Sequence, residues 1–166
     1  MTTETLAPNT CVVRNTAGRP GRTQAVAAGP VMQHLHYGRI ILEADAAVAF
    51  GTEERETALV CLRGSVSIAT GDTRVTLGRY DAIYVPRDSA VEVSGGAAGG
   101  DLAEISARVS RRHPVQVVRF ADVQRDPTLH VAAGGPTTKR DLNVLIGKNV
   151  QAGRIMAGVT FSEAGN

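Results

Sequence analysis

Histidine, acid and thiol side chains are the groups in this sequence whose types and spacing bear on chemistry. His34 and His36, in "QHLH", form a His-x-His pair. On a strand, positions i and i+2 face the same side, so two imidazoles would converge as metal ligands do. No carboxylate or third histidine is placed to complete such a centre, so the pair reads as surface or hydrogen-bonded histidines. Glu53, Glu54 and Glu56 crowd into "GTEERET". Close like charges are best left in water, so the three read as a solvated rim or loop. His113 precedes Pro114, and His130 lies in an irregular segment; neither has an identifiable partner in the sequence. The two cysteines, Cys11 and Cys61, are far apart, which argues against a disulfide scaffold. Cys61 sits in an apolar strand and reads as a buried free thiol.

Composition narrows the function classes. The chain has 166 residues, 43% hydrophobic and 20% charged, with a net charge of +2. That is enough for one domain with a core. The charge is too small, the arginines too interspersed with acids and the aromatics too few for a nucleic-acid surface. "MTTETLAPNT" lacks the basic and apolar regions of a secretory signal, and no apolar run is long enough to span a bilayer as a helix. The expected location is cytoplasmic, with no nucleic-acid or membrane partner.

The elements that must position these groups are strands. "GRIILEADAAVAF" is β-branched and apolar, and "TALVCLRGSVSIAT" begins apolar on both faces, as a buried strand does. Thr70-Gly71-Asp72 marks a turn, so "SVSIATGDTRVTL" reads as a hairpin. Pro86 ends the strand of "RYDAIYVP" because it cannot donate to a ladder. "SGGAAGGD" reads as a flexible tip, "DLAEISARVS" as a strand, "PVQVVRF" as a strand and "ADVQRDP" as a turn or short helical piece. "HVAAGGPTTKRDL" reads as irregular, and "DLNVLIG" and "GRIMAGVTF" as strands. Short strands between Gly and Asp turns, with no long 3.6-residue period, indicate an all-β sandwich or barrel. Gly38-Arg39-Ile40 recurs as Gly153-Arg154-Ile155, a weak hint that a second copy of the domain begins near residue 150.

The blocks resemble those of the cupins. That family carries His-x-His, a glutamate and a glycine in one block, then a Gly-Asp turn, Pro-x-Gly and a histidine in another. Gly64 closes the first block in "CLRG". Counting back from it places Thr57 at the glutamate position and Phe50 and Thr52 at the histidine positions. In "RYDAIYVPRDSAVEV", Asp81 and Pro86 match, Asp88 stands where the glycine belongs, and Val91 replaces the last histidine. The aligned metal positions therefore read Phe50, Thr52, Thr57 and Val91. A divalent transition metal needs imidazole, carboxylate or thiolate donors at about 2.0–2.3 Å, which these residues do not offer. His34 and His36 lie about fourteen residues too early to replace them. The fold expected from the resemblance is a cupin-type, jelly-roll-like β-barrel with a loop-rich C-terminal extension.

The fuller resemblance is to the two-barrel sugar isomerases, 5-deoxyglucuronate isomerase of inositol catabolism and 5-keto-4-deoxyuronate isomerase. "FGTEERETALVCLRGSVSI" and "YDAIYVPRDSAVEV" look like their first barrel, "TTKRDLNVLIG" like their linker strand, and "RIMAGVTFSEAGN" like the start of their second barrel. The resemblance implies an N-terminal arm over residues 1–30, a metal-free barrel over 31–118, an inter-barrel linker over 119–150 and the first strand of a second, truncated barrel over 151–166. It implies aldose–ketose isomerisation of a uronic-acid-type sugar in a homo-oligomer. The catalytic residues and a divalent metal, zinc or manganese, would lie in a C-terminal barrel beyond Asn166, so these 166 residues alone would hold no cofactor and be inactive. Within the chain, Lys139 and Arg140 are the candidates for contacting an acidic sugar, because a guanidinium fork matches a carboxylate. The alternatives are a stand-alone metal-free cupin acting as a binding or oligomerisation module and, on fold analogy only, a sugar-binding sensor.

Overall fold

A computed structural model describes residues 13–16, 18–29, 32–135 and 137–163. Cys11 and the terminal Ala164-Gly165-Asn166 lie outside them. The described residues form β1 (Gly21–Val26), β2 (Leu35–Leu42), β3 (Ala47–Gly51), β4 (Arg55–Thr70), β5 (Thr73–Leu77), β6 (Ala82–Val85), β7 (Ala90–Arg108) and β8 (Gln116–Val118). A one-turn helix, α1 (Phe120–Val123), precedes β9 (His130–Ala133), β10 (Arg140–Ile146) and β11 (Ala157–Ser162). The first eight strands make one antiparallel sheet in the order β1-β2-β7-β4-β6-β8, with β3 added to β7 and β5 to β4. This sheet curls into the barrel. The last three strands make a separate sheet, β11-β10-β9.

Strand alternation sorts the apolar residues into two cores. Ile40, Leu59, Cys61, Ile83, Val85 and Leu102 point into the barrel, where they meet Val66, Ile68, Val91 and Val93. The alternate positions Ala58, Val60, Tyr84, Ala103 and Ala107 point outward and are covered by Val123, Leu129, Leu145, Ile146, Val150 and Ile155. The first half of β4 is apolar on both faces because each face has its own core. The expected hairpin joins β4 to β5, with Thr70 paired to Thr73 across Gly71 and Asp72. Asp88 has φ 56°, the left-handed conformation for which the cupin pattern has glycine. Asp tolerates it better than most residues.

"SGGAAGGD" is not a loop tip. It lies inside β7, a strand of 19 residues that pairs with β3 through residues 90–94 and with β2 through residues 100–107. Here β4 and β7 bend together at register shifts between Cys61 and Arg63 and between Gly64 and Val66. Gly64 (φ 71°) and Gly99 (φ 70°) face each other at this corner. A Cβ on Gly64 would collide with the Gly99 carbonyl oxygen, and one on Gly99 with the Leu42 carbonyl oxygen. The glycines admit close backbone approach at a barrel corner, a use of glycine that resembles a turn in sequence.

The C-terminal segment also differs from its sequence reading. "HVAAGGPTTKRDL" contains β9, whose residues 130–133 pair with β10. "GRIMAGVTF" is strand only from Ala157, with Gly153 and Arg154 in a bend and Ile155 in irregular backbone before it, whereas Gly38-Arg39-Ile40 lie inside β2. The two triplets are therefore not structural equivalents. Glu56, read from sequence as part of a solvated rim, is wholly buried. Its carboxylate accepts the backbone N–H groups of Gly153 (2.7 Å), Arg154 (2.6 Å) and Ile155 (2.8 Å), and the Tyr84 hydroxyl (2.9 Å). Glu53 and Glu54 are exposed, as expected. Two further contacts hold the segment on the barrel. Gln116 and Gln151 exchange hydrogen bonds of 3.0 and 2.9 Å, and the rings of Tyr80, Phe120 and Phe161 meet edge to face with centroids 5.2–6.2 Å apart.

Candidate functional site

The positions aligned with the cupin ligands lie on β3, β4 and β7 and in the turn after β3. Phe50 on β3 pairs directly with Val91 on β7. Val91 belongs to the inner core, and Phe50 packs against it. Thr52 is buried, donating its hydroxyl to the Pro86 carbonyl (2.8 Å) and accepting the Ser89 N–H (3.0 Å). It ties the β3–β4 turn to the loop after β6. Thr57, also buried, lies on β4 on the same face as Leu59 and Cys61. This apolar and hydroxyl set does not fit a divalent metal. A cation nevertheless sits against the first ligand position: the Arg22 guanidinium carbon lies 3.9 Å from the centroid of the Phe50 ring.

Beside these positions the mouth opens into a cleft of about 580 Å³, lined by Arg22 and Gln24 of β1, His36 of β2, Arg55 of β4, and Glu104 and Ser106 of β7. Strand alternation explains the grouping. Arg22 pairs with Ile40 and Gln24 with Gly38, so these residues share the inward face. Glu104 and Ser106 continue the face of Leu102, and Arg55 that of Leu59. Arg22 donates two hydrogen bonds to Glu104, at 2.8 and 2.6 Å. The Ala28 N–H donates to His36 Nδ1 (3.3 Å), which leaves Nε2 as the protonated nitrogen of a neutral ring. Burial, then the Arg55 and Arg108 charges, hold His36 below its ordinary pKa, against the opposing pull of Glu104. The Arg55 guanidinium has no hydrogen-bond or ion-pair partner among the described residues.

The remaining sequence candidates lie elsewhere. His34 is exposed in the bend before β2, so it shares no strand face with His36. His113 lies between β7 and β8. His130, which lacked a partner in the sequence reading, has Nε2 2.5 Å from Asp141 Oδ1 and Nδ1 3.1 Å from the Gln124 carbonyl oxygen. It joins α1 to β9 and β10. Lys139 and Arg140 are exposed at the start of β10, away from the barrel mouth, and Lys139 Nζ is 4.0 Å from Glu163. Among the described residues no group of three or more His, Cys, Asp or Glu side chains is placed to hold a metal ion.

Cys61 is a buried free thiol, as expected. Its thiol lies 3.6 Å from the Arg63 carbonyl oxygen, and burial is the main cause pushing its pKa up to about 11. The thiolate is the reactive form. Alkylation at pH 8, mapped by peptide mass, should leave Cys61 unmodified in the native protein and label it once urea unfolds the chain. Native labelling at the rate of a free thiol would contradict the buried placement.

The mouth residues were missed in the sequence reading, yet a signal for them existed. In "DLAEISAR" the period of two places Leu102, Glu104, Ser106 and Arg108 on one face, so an inward-facing leucine is followed by inward-facing polar groups.

The model of the KduI/IolB family matches residues 12–166. The chain belongs to that family. No curated protein matches it significantly. Among solved structures, an IolB-like protein from Salmonella typhimurium LT2 shares 17% identity at a TM-score of 0.71, over 83% of this chain and 54% of its own. This KduI/IolB chain thus spans about half the length of that relative. The cupin domain of Schizosaccharomyces pombe Cnp3 is 13% identical at a TM-score of 0.47, over 53% of this chain and 64% of its own. BH2720 from Bacillus halodurans is 15% identical at a TM-score of 0.48, over 63% of this chain and 79% of its own. The fold is that of a cupin, and among the described residues no helix is long and apolar enough to cross a membrane.

Proposed function

We propose that this chain is the first barrel of a two-barrel, cytoplasmic, homo-oligomeric isomerase that interconverts aldose and ketose forms of a uronic-acid-type sugar. The observation that carries the reading is the family match across residues 12–166, in a chain that covers only 54% of the IolB-like relative. Two features of the structure support it. The residues at the cupin ligand positions of this barrel do not fit a metal, so the divalent ion the reading requires, zinc or manganese, is assigned to a C-terminal barrel. The β9–β11 sheet carries Val131, 43% exposed, on the face of Leu142 and Val144, and Met156, 77% exposed, lies just before β11 beside them. A following barrel would cover that face, and residues 151–163 would then lead into it. Lys139 and Arg140, at one end of the same sheet, are the residues of this chain proposed to approach an acidic sugar there. Both are exposed, which suits a part in electrostatic attraction.

The experiment compares the full polypeptide encoded by the gene with residues 1–166, both supplied with zinc or manganese, using 5-deoxyglucuronate and 5-keto-4-deoxyuronate. Isomerisation by the full polypeptide and none by residues 1–166 is the expected result. Activity in residues 1–166 would overturn the assignment of the chemistry to a second barrel. An encoded polypeptide ending at Asn166, inactive and metal-free, would overturn the isomerase reading in favour of a metal-free cupin module.

A further inference from the structure

We propose that the mouth of this barrel is itself a binding site for a small hydroxylated carboxylic acid, with Arg55 as the carboxylate anchor. The inference stands on the cleft alone and does not depend on an isomerase barrel following. The volume of about 580 Å³ lies in the usual range of small-molecule sites and is ample for one monosaccharide-sized ligand.

Charge selects the ligand class. Arg22 and Glu104 neutralise each other through two parallel hydrogen bonds, and Arg22 is further fixed over the Phe50 ring. His36 is held neutral. Arg108 lies at the rim in an ion pair with Glu54 (2.9 Å). That leaves Arg55 as the uncompensated charge among the lining residues, and the cleft carries a net positive charge. A guanidinium presents a planar fork that fits a carboxylate bidentately. The walls close to it are partly withdrawn from water, with Ser106 and Glu104 only 5% and 6% exposed, which strengthens such a pair relative to a surface one.

Hydrogen-bonding groups select the rest of the ligand. His36 Nε2–H donates, Gln24 both donates and accepts, and the Ser106 hydroxyl does either. Side chains of mixed donor and acceptor character suit hydroxyl groups, which are themselves both. One free guanidinium matches the single charge of a carboxylate. A phosphate would call for a second cation or a nest of backbone N–H groups.

The test titrates the 166-residue protein with D-glucuronate, D-glucose and glucose 6-phosphate, followed by amide chemical shifts and calorimetry. Glucuronate should saturate and shift resonances of Arg55, Ser106 and His36. Glucose and glucose 6-phosphate should each bind at least about tenfold more weakly. Arg55→Gln should lose glucuronate affinity by about tenfold or more while its melting temperature stays within about 2 °C of the parent. Arg55→Lys, which keeps the charge but not the fork, should fall between them. No saturation by glucuronate at about 50 mM would overturn the proposal, as would equal binding of glucose. Glucose 6-phosphate binding as tightly as glucuronate would overturn the carboxylate assignment. Unchanged affinity in a folded Arg55→Gln protein, or in Arg55→Lys should the glutamine variant not fold, would overturn the role of Arg55. None of these outcomes bears on isomerase activity in the full polypeptide, so the two readings fail independently.

Discussion

Replacing Glu56 by alanine is expected to destabilise the protein by about 3–5 kcal/mol, seen as a fall of roughly 10 °C in melting temperature. The wholly buried carboxylate accepts three successive backbone N–H groups and one hydroxyl, all at 2.6–2.9 Å; Ile155 and Tyr84 are buried with it, whereas Gly153 and Arg154 lie at the surface. Alanine leaves the buried Ile155 N–H and Tyr84 hydroxyl without acceptors, each at a cost of about 1–3 kcal/mol, while water can replace part of the bonding to Gly153 and Arg154. Glu56→Gln keeps the shape but turns one acceptor into a donor facing N–H groups, so it should cost less than alanine but still about 2 kcal/mol. Tyr84→Phe removes only one of the four bonds and should cost about 1 kcal/mol. The loss should also be local first. Hydrogen exchange should accelerate over residues 150–163 well before the barrel strands, because the Glu56 contacts fasten that segment to the outer face. A Glu56→Ala protein within 1 kcal/mol of the parent in urea unfolding would show that the anchor is unimportant.

Gly64→Ala should be comparably damaging, for a different reason. Its φ of 71° alone costs an L residue about 1–2 kcal/mol. The added Cβ also enters the Gly99 carbonyl and comes within 3.2 Å of the Gly100 Cα, both backbone atoms that cannot rotate away. The expected total is about 3 kcal/mol or more, or failure to accumulate as soluble protein. Gly71→Ala provides the comparison. It too has positive φ, 54°, but no atom within 4 Å of its built Cβ, so it should show only the conformational term, about 1 kcal/mol. Equal costs at the two sites would mean the barrel corner tolerates separation of β4 from β7.

Much of the barrel is legible in the sequence because period-two alternation and turn residues are local signals. Thr70-Gly71-Asp72 marks the β4–β5 turn, and the cupin spacing brings Phe50 and Val91, forty-one positions apart, to directly paired places. The misreadings share a cause: a local pattern served a distant partner. "SGGAAGGD" has loop composition, but its glycines answer to backbone atoms of Leu42, Glu43 and Ser65 on other strands. Glu56 sits among like charges in sequence, yet the strand turns it to the face covered by residues 153–155. β9 is four residues long with no strong alternation, so only its pairing with β10 defines it. The polar groups of the barrel-mouth site, Arg22, Gln24, His36, Arg55, Glu104 and Ser106, come from four strands, and no short window contains more than two of them.

The pairing pattern also sets a timetable for assembly. β2 has only β1 as a partner until β7 exists, and β3 has β7 as its ladder partner. Leu42 waits for Gly100 and Leu35 for Ala107. At translation rates of about 5–20 residues per second, the second edge of β2 stays open for roughly 3–13 s and β3 lacks its ladder partner for roughly 2–9 s. During that interval a hairpin of β4 and β5 can close, but the barrel cannot. The seventh strand is thus the step on which cotranslational folding turns, and the growing chain is most exposed to aggregation and chaperone capture just before it emerges.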